Sequence, residues 1–380
     1  MNTKMIAVVA VAILVVAGVG VGIAMTQQPE KKGLYKLDAT VLDIDMGGMA
    51  GTPKVIDTLE YMYKGVYGDL TDNAKKKTLA DAKADTTFWD TYAKYTKIAT
   101  RDGDTVTYKT VVDDNTTKFT DKVFTGKATK IIGTGSAYPY AAYMFICSKY
   151  NVKPFSSDAD NNTNVKNEFQ ALIYGGLMKE DVKTSSEQLA NLLPASYVEA
   201  CSSIKSYKDD KMGQDVKNAA TGGQTVFLMG SATIAGEGKN ATFVSVVETN
   251  GGHILLNNAK NIPNTLAMID QLGVIMGYDD QVDKVIGDIQ LRMYQIYFSA
   301  QEKNAANPDK VYKAYFEGSS GKASGKTSNG AACCKFFGWD TSLFDGAEHD
   351  TENLLTEKPN ILMFYTNDTR DMDVKMRVTS

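Results

Sequence analysis

The longest regular hydrophobic pattern in the chain lies between residues 262 and 302. A helix is predicted on each side of Gly277, the second one long and uninterrupted, because glycine is common where a helix ends. Asp279 and Asp280 supply the start signal of the second helix. Its apolar positions recur every three or four residues and therefore share one face: Val282, Val285, Ile286, Ile289, Met293, Ile296 and Tyr297. The pattern predicts a rod of roughly 34 Å that connects two lobes, with an ordinary core helix as the alternative.

Short apolar runs that are typical of buried strands flank this rod on both sides. Those upstream run from Lys130 to Ile132, from Thr225 to Met229 and from Ile254 to Leu256, and those downstream from Lys310 to Phe316 and from Ile361 to Tyr365. Helical patterns lie between several of them, and this alternation indicates mostly parallel sheets. The predicted fold class is α/β, with two Rossmann-like lobes joined by a long rigid helix, an N-terminal membrane anchor and an α/β extension.

The start of the chain predicts a membrane anchor. Every residue from Met5 to Met25 is apolar or a glycine, and the stretch matches the roughly 20 residues that a bilayer span requires. A retained anchor is favoured over a cleaved signal peptide, whose apolar region is shorter. The rest of the chain is expected to be exported across the membrane. The predicted organisation is an anchor and tether over 1–30, an extension over 31–125, a first lobe over 126–261, the connecting helix over 262–302 and a short second lobe over 303–380.

Charge and composition narrow the function classes. The 41 basic and 45 acidic residues nearly cancel, so the chain offers no strongly basic field for nucleic acid. With two histidines and four cysteines in 380 residues, neither a histidine-based metal cluster nor a disulfide framework is expected. The sequence also contains no Ser-His-Asp arrangement and no nucleophile motif. We therefore expect a protein that is not an enzyme and that carries no resident metal or cofactor.

Two glycine-rich turns match nucleotide-binding motifs only in part. The turn that begins at Gly133 follows a predicted strand, but Tyr138 stands where the third glycine of a dinucleotide fingerprint belongs. The turn at Gly325 ends like a phosphate loop, but Ser320 stands where its first glycine belongs. Neither turn is expected to bind a nucleotide. The first one still lies where ligands of an open α/β sheet bind, outside the carboxyl end of a strand.

Four segments occur in an order that is familiar from one class of binding proteins. They are Lys130-Ile131-Ile132-Gly133 before the first turn, Met268 to Gly277 before the rod, Val311-Tyr312 before the Gly/Ser-rich loop, and Leu354-Leu355 with Lys358-Pro359-Asn360-Ile361-Leu362 near the end. From about Lys127 to the end, this layout resembles the substrate-binding proteins of iron-complex and cobalamin ABC importers. The resemblance implies two α/β lobes tied by a rigid helix, with the ligand held between them and little hinge closure.

The same resemblance implies a ligand class and partners. The ligand would be a metal chelate (an iron-siderophore, haem or a corrinoid), captured outside the cytoplasm by a protein anchored through Met5 to Met25 and passed to an ABC permease. By position, seven residues would face the cleft: Tyr138, Tyr140, Met229, Ser231, Lys322, Lys326 and Phe336. The glutamates with which the family docks its permease have no match in 140–149 or 329–338. A surface structural or adhesive protein that kept the fold without transport is therefore the alternative function.

Overall fold

The computed structural model describes residues 37–44, 55–112, 115–128, 130–134, 220–221, 225–230, 245–257, 261–317, 322–349 and 351–365 of the chain. Its helices and strands, in chain order, are β1 (Thr40–Ile44), α1 (Val55–Tyr67), α2 (Asp72–Lys75), α3 (Leu79–Ala84), α4 (Thr86–Phe88), β2 (Ala99–Asp102), β3 (Thr105–Val112), β4 (Asn115–Thr125), β5 (Lys130–Thr134), β6 (Thr225–Gly230), β7 (His253–Asn257), α5 (Ile262–Met276), α6 (Asp279–Ala306), β8 (Ala314–Phe316), α7 (Asn329–Phe336), α8 (Thr351–Glu357) and β9 (Ile361–Tyr365). A π-helical turn over Trp89–Ala93 follows α4. The strands expected at β5, β6, β7 and β9 and the mixed α/β class are confirmed.

Helices α5 and α6 form the predicted helix pair around Gly277. α5 begins after Asn261, whose side-chain oxygen accepts a hydrogen bond from the Asn264 backbone N–H at 2.9 Å. It ends at Gly277, whose φ of 76° lies in the left-handed region that glycine adopts without steric cost. α6 then runs for 28 residues, about 42 Å at 1.5 Å per residue. It ends at Ala306, beyond the predicted end at 302.

The apolar face of α6 is buried, as in the core-helix alternative, and its role as a connector of two lobes stays a prediction. α1, α2 and α3 pack along it, and α5 packs beside its first turns. Asp283, Lys284 and Asp288 lie on its exposed side. The short N-terminal helices supply the cover that this apolar face needs. One hydrophobic core cluster consequently extends from Leu42 to Met363 and includes both long helices.

Within the described residues, three three-stranded sheets accompany this helix pair. Strands β1, β9 and β8 form a parallel sheet in that order, and β5, β6 and β7 form a second parallel sheet. Strands β2, β3 and β4 form an antiparallel sheet, with an irregularity between Val111 and Val112. The parallel sheets agree with the predicted strand–helix alternation, whereas the antiparallel sheet lies in the range predicted as an extension.

Strand β1 joins the two ends of the described chain. Thr40 aligns with Ile361 and Ile44 with Tyr365 in parallel register, so β9 lies between β1 and β8. The strand belongs to the range 31–125, yet it completes the sheet of the range 303–380. The domain boundaries themselves stay a prediction. What the register shows is that the N-terminal range contributes a strand to the C-terminal sheet.

Arg101 ties the antiparallel sheet to the end of α5. Its guanidinium donates hydrogen bonds to the carbonyl oxygens of Gly126 and Val274, each at 2.7 Å, and the Ala128 N–H donates to the Ile275 carbonyl at 2.9 Å. On the side of β7, the Tyr108 hydroxyl lies 3.1 Å from His253 Nδ1. These contacts hold β2 and β3 beside α5. The segment that precedes β2 is held there with them.

No described helix combines the length and the apolar character that crossing a bilayer requires. The predicted anchor, Met5 to Met25, lies outside the described residues. The part of the first glycine-rich turn that follows Thr134 also lies outside them, and so does the segment 318–321.

We predict that Gly273→Ala destabilises the protein by about 1–3 kcal/mol, because an added methyl group overpacks the contact between α5 and α6. A Cβ at position 273 would lie 2.7 Å from both γ carbons of Val282. Equilibrium unfolding of the purified full chain by urea measures the change.

Gly287→Ala in α6 is the matched control. A Cβ there would lie 3.5 Å from Leu79 Cδ2, an ordinary contact, so the variant should gain about 0.5–1 kcal/mol from the better helix propensity of alanine. Equal effects of the two substitutions would contradict the packing that we describe.

Candidate functional site

The structure describes three of the seven predicted site residues with their side chains: Lys322, Lys326 and Phe336. Lys322 and Lys326 are exposed in the loop before α7, and Lys335 of that helix donates a hydrogen bond to the Lys326 carbonyl at 3.2 Å. Met229 lies in β6, aligned with Thr134 of β5 and Leu256 of β7. Tyr138, Tyr140 and Ser231 lie outside the described residues. For these six residues, ligand binding stays a prediction.

Phe336 is fully buried at the end of α7. Its ring centroid lies 5.0 Å from that of Tyr92, 5.2 Å from that of Phe337 and 5.7 Å from that of Tyr297. Aromatic rings at these separations and tilts pack favourably beyond the area they bury. The structure therefore places Phe336 in the hydrophobic core, and the ring offers no surface to a ligand there.

A cleft of about 570 Å³ opens beside α5, at a place that the sequence did not indicate. Its walls come from the N-terminal half of α5, from the segment between the π-helical turn and β2, and from β3. The lining residues are Asp90, Lys94, Tyr95, Thr96, Ile98, Lys109, Pro263, Asn264, Ala267, Met268 and Gln271. On α5 these residues recur at helical spacing and share one face. A volume of this size is ordinary for a small-molecule site.

Gln271 is the unusual member of the lining. Its side chain is 1% exposed, and neither Nε2 nor Oε1 has a hydrogen-bond partner within the described structure. Gln290 of α6 shows the usual arrangement, because it is 6% exposed and its Nε2 donates to the Ala93 carbonyl at 2.8 Å. A buried amide without partners costs free energy that a bonded one does not. Such unpaired groups occur preferentially at functional sites.

Asp270, the residue before Gln271, is a buried carboxylate beside the cleft. Its Oδ1 accepts a hydrogen bond from the Tyr95 hydroxyl at 3.2 Å and lies 3.2 Å from Lys97 Nζ, while its Oδ2 is buried without a partner. Burial raises the pKa of Asp270, and the charge of Lys97 opposes that rise. Burial and the neighbouring Asp270 carboxylate raise the pKa of Tyr95, which keeps its hydroxyl protonated as the donor.

The charged groups of the lining lie at the mouth of the cleft. Lys94 is 3.1 Å from Asp90, and Lys109 is 2.7 Å from Asp121; Lys109 is partly exposed and the other three side chains are exposed. Exposed pairs of this kind contribute little to stability. The deeper lining is formed by apolar side chains, among them Ile98, Ala267 and Met268, together with Gln271.

The described residues contain no group of three or more histidine, cysteine or acidic side chains that could hold a metal ion. Asp90, the carboxylate in the cleft lining, is paired with Lys94, and Oδ1 of Asp270 is already engaged by Tyr95 and Lys97. The polar groups of the cleft therefore suit hydrogen bonding to a solute better than coordination of a bare cation.

The sequence carried one signal for this cleft that pattern analysis did not use. From Leu266 to Met276, α5 is apolar or glycine except for the adjacent residues Asp270 and Gln271, and both are buried. Two polar side chains in the middle of a helix that is apolar nearly all round need partners. The sequence was sufficient to mark Asp270 and Gln271 as candidate functional residues. It could not show that Tyr95 and Lys97 contact Asp270 and leave Gln271 without a partner.

No protein-family model matches the chain, and no curated protein matches it in sequence. Among solved structures, the chain is similar to a periplasmic binding protein from Veillonella parvula DSM 2008. The two chains are 12% identical, the match covers 74% of this chain and 79% of that chain, and the TM-score is 0.47. At this level of similarity, function has to be inferred from the residues of the chain itself.

We predict that Gln271→Met stabilises the ligand-free protein by about 1–3 kcal/mol, because it replaces two unpaired buried polar atoms by an apolar group of similar shape. Gln290→Met is the matched control. It should destabilise the protein by about 1–2 kcal/mol, since it leaves the Ala93 carbonyl buried without its donor. Urea unfolding of both variants measures the change in the free energy of unfolding. Destabilisation by Gln271→Met would show that the amide has a structural partner.

We predict that Asp270 makes the protein less stable as the pH rises. Because the pKa of Asp270 is raised in the folded state, the folded protein binds this proton more tightly than the unfolded chain. The stability that the protonated form contributes is present below the ordinary aspartate pKa of about 3.9 and is lost as the pH rises through the folded-state value. In Asp270→Asn this loss should be absent. Unfolding curves from about pH 4 to pH 7 that run parallel for the two proteins would contradict the prediction.

Proposed function

We propose that this chain is an extracytoplasmic solute-binding protein, held at a membrane by residues 5–25, that captures a metal chelate for an ABC importer. The observation that carries the binding role is the cleft beside α5, with the unpaired amide of Gln271 in its lining. A concave site that combines apolar walls with a few polar groups is the usual form of a small-molecule site. An unpaired buried amide is costly unless a bound molecule supplies its hydrogen bonds.

Binding without chemistry fits the polar groups of this cleft. The polar lining consists of two amides, one threonine hydroxyl, two lysines paired with aspartates, one of which also lines the cleft, and a tyrosine that is bonded to Asp270. General acid–base or nucleophilic catalysis requires a group that is both reactive and free to reach the substrate. Tyr95 is held in its protonated form, and its hydroxyl is committed to a buried carboxylate. We therefore propose that the protein is not an enzyme.

The chelate, the importer and the location outside the cytoplasm come from the sequence resemblance. In that class of protein, two α/β lobes hold a siderophore, haem or corrinoid, and the two parallel sheets of this chain are compatible with such lobes. The alternative is a surface structural or adhesive protein. It is favoured by α7, whose sequence from Asn329 to Phe336 contains no glutamate with which to dock a permease.

The proposal is tested by thermal unfolding of the purified full chain with a ferric hydroxamate siderophore, haem or cyanocobalamin. A ligand that binds only the folded state stabilises it, by about 2.7 kcal/mol when it is present at 100 times its Kd. We expect one of the three chelates to raise the unfolding temperature in a concentration-dependent way. No shift with any of them would overturn the proposal and favour the structural alternative.

Tryptophan fluorescence locates the bound chelate. Trp89 precedes Asp90 of the cleft lining, whereas Trp339 stacks on Phe337 in a different aromatic cluster, with ring centroids 4.8 Å apart. Quenching by the bound chelate should decrease strongly in Trp89→Phe and persist in Trp339→Phe. The opposite result would place the ligand near Trp339 and not in the cleft.

A further inference from the structure

We infer that one edge of the parallel sheet formed by β1, β9 and β8 lies against a membrane surface that carries anionic lipid headgroups. It is the edge at which the three strands begin, and we call it the amino edge; residues 37–40, 309–313 and 357–360 form it. The inference rests on the part of the proposed function that holds residues 5–25 in a membrane. Neither the sequence pattern nor the resemblance assigns a membrane contact to this edge.

Asn360 joins the three segments of the amino edge. Its backbone carbonyl accepts a hydrogen bond from the Thr40 N–H at 2.9 Å. Its side-chain Nδ2 donates to the Val311 carbonyl at 2.6 Å, and its Oδ1 accepts from the Lys313 N–H at 2.9 Å. The start of β1 therefore lies beside the segment that leads into β8, and the three segments form one continuous surface.

The chain enters the described structure at this edge. Leu37, the first residue that the structure describes, is partly buried against the hydrophobic cluster that contains Tyr315, Leu354 and Leu362. Eleven residues separate it from Met25, the end of the predicted anchor, and eleven residues span at most about 40 Å when fully extended. A compact chain of 380 residues is roughly 50 Å across. A tether of this length keeps the amino edge nearer the membrane than the opposite side of the protein.

The exposed side chains of the amino edge suit the interface between water and lipid. Val311 is 65% exposed, more than the other exposed large apolar residues that the structure describes. Lys310 and Lys358 are exposed as well, whereas Lys313 is paired with Glu357 at 2.5 Å. An apolar side chain together with lysines is the composition with which surface-bound segments contact anionic lipid. A lysine near such a surface strengthens the contact by about fivefold.

The tether supplies the proximity that these side chains alone would not. Asp38 and Asp309 are also exposed at the amino edge, so the edge is not a strongly basic patch. A tethered surface meets its partner at a high effective concentration, and a few contacts are then sufficient. The tether adds positive charge as well, because residues 26–36 contain three lysines and one acidic residue.

Lys358 has a backbone conformation that is unfavourable for lysine. Its φ of 50° is the one positive value at a non-glycine residue among the described residues. Glycine or asparagine is usual in this conformation at the end of a helix, since a larger side chain incurs a steric cost. Strained backbone of this kind occurs preferentially at functional positions. The conformation of Lys358 therefore agrees with a use for its charge at the amino edge.

The experiment measures which surface meets the lipid. The purified full chain is reconstituted into vesicles of phosphatidylglycerol and acyl-chain-dibrominated phosphatidylcholine, whose bromines quench tryptophan at the interface. Val311→Trp adds a tryptophan at the amino edge, and Val123→Trp in β4 is the matched control, because Val123 is 57% exposed in a different sheet. We expect Val311→Trp to lose more emission per protein than the unaltered chain, and Val123→Trp to lose the same amount as the unaltered chain.

Two lysine variants, each made in the Val311→Trp chain, test the headgroup contact. Lys310→Gln and Lys358→Asn should each lower the ratio of quenched to unquenched emission of the added tryptophan by about fivefold. Asparagine adopts the left-handed conformation more readily than lysine, so Lys358→Asn should be at least as stable in urea. Lys284→Gln, on the exposed side of α6, is the control and should leave the ratio unchanged.

The outcomes separate the inference from the proposed function. If the full chain does not enter the vesicles, the membrane anchor fails and the inference fails with it. If the chain enters them, quenching of Val311→Trp no greater than that of Val123→Trp would overturn the inference, and so would lysine variants that behave like Lys284→Gln. Equal quenching in vesicles without phosphatidylglycerol would overturn the role of anionic lipid. Each of these last three results leaves an anchored solute-binding protein in place.

Discussion

The contact between α5 and α6 across Gly273 is the constraint on which the described structure depends. Because residue 273 has no side chain, Val282 of α6 lies directly against the backbone of α5. Gly277 supplies the left-handed turn between the two helices, with a φ of 76°. The two glycines thus serve different purposes, close approach in one case and chain reversal in the other. Together they set the position of α5, whose face forms one wall of the cleft.

Hydrogen bonds along α6 bind the N-terminal helices to this pair. The Tyr63 hydroxyl lies 2.6 Å from Ser299 Oγ, and the same Oγ accepts a bond from the Thr71 N–H at 2.8 Å. Lys303 Nζ donates to the carbonyl oxygens of Tyr67 and Asp69, each at 2.6 Å. Most of these groups are partly or fully buried, where satisfied polar contacts specify one arrangement of the neighbouring helices. Helix α1 and the segment up to α2 are consequently part of the core.

The two neighbouring polar residues of α5 differ in how the protein compensates their burial. Asp270 has Tyr95 and Lys97 as partners, so most of its burial is compensated within the protein. Gln271 has none, and its burial lowers the stability of the ligand-free chain. Natural proteins depart from local consistency mainly at functional sites, where a bound molecule restores it. The protein thus compensates the burial of Asp270 and leaves that of Gln271 uncompensated.

Local patterns in the sequence determined helices and strands such as α6 and β9. Only the tertiary structure decided which of these elements contact each other. The spacing of Val282, Ile286, Ile289 and Met293 was sufficient to predict α6, and the run from Ile361 to Tyr365 was sufficient to predict β9, because periodicity is a property of neighbouring residues. The parallel pairing of Thr40 with Ile361 and the meeting of residues 90–98 with α5 join positions far apart in the chain. Such contacts depend on the shape of the whole core and leave no local signal. For the same reason the sequence placed Phe336 at a ligand site while the structure buries its ring, and it contained Gln271 without revealing that its amide would have no partner.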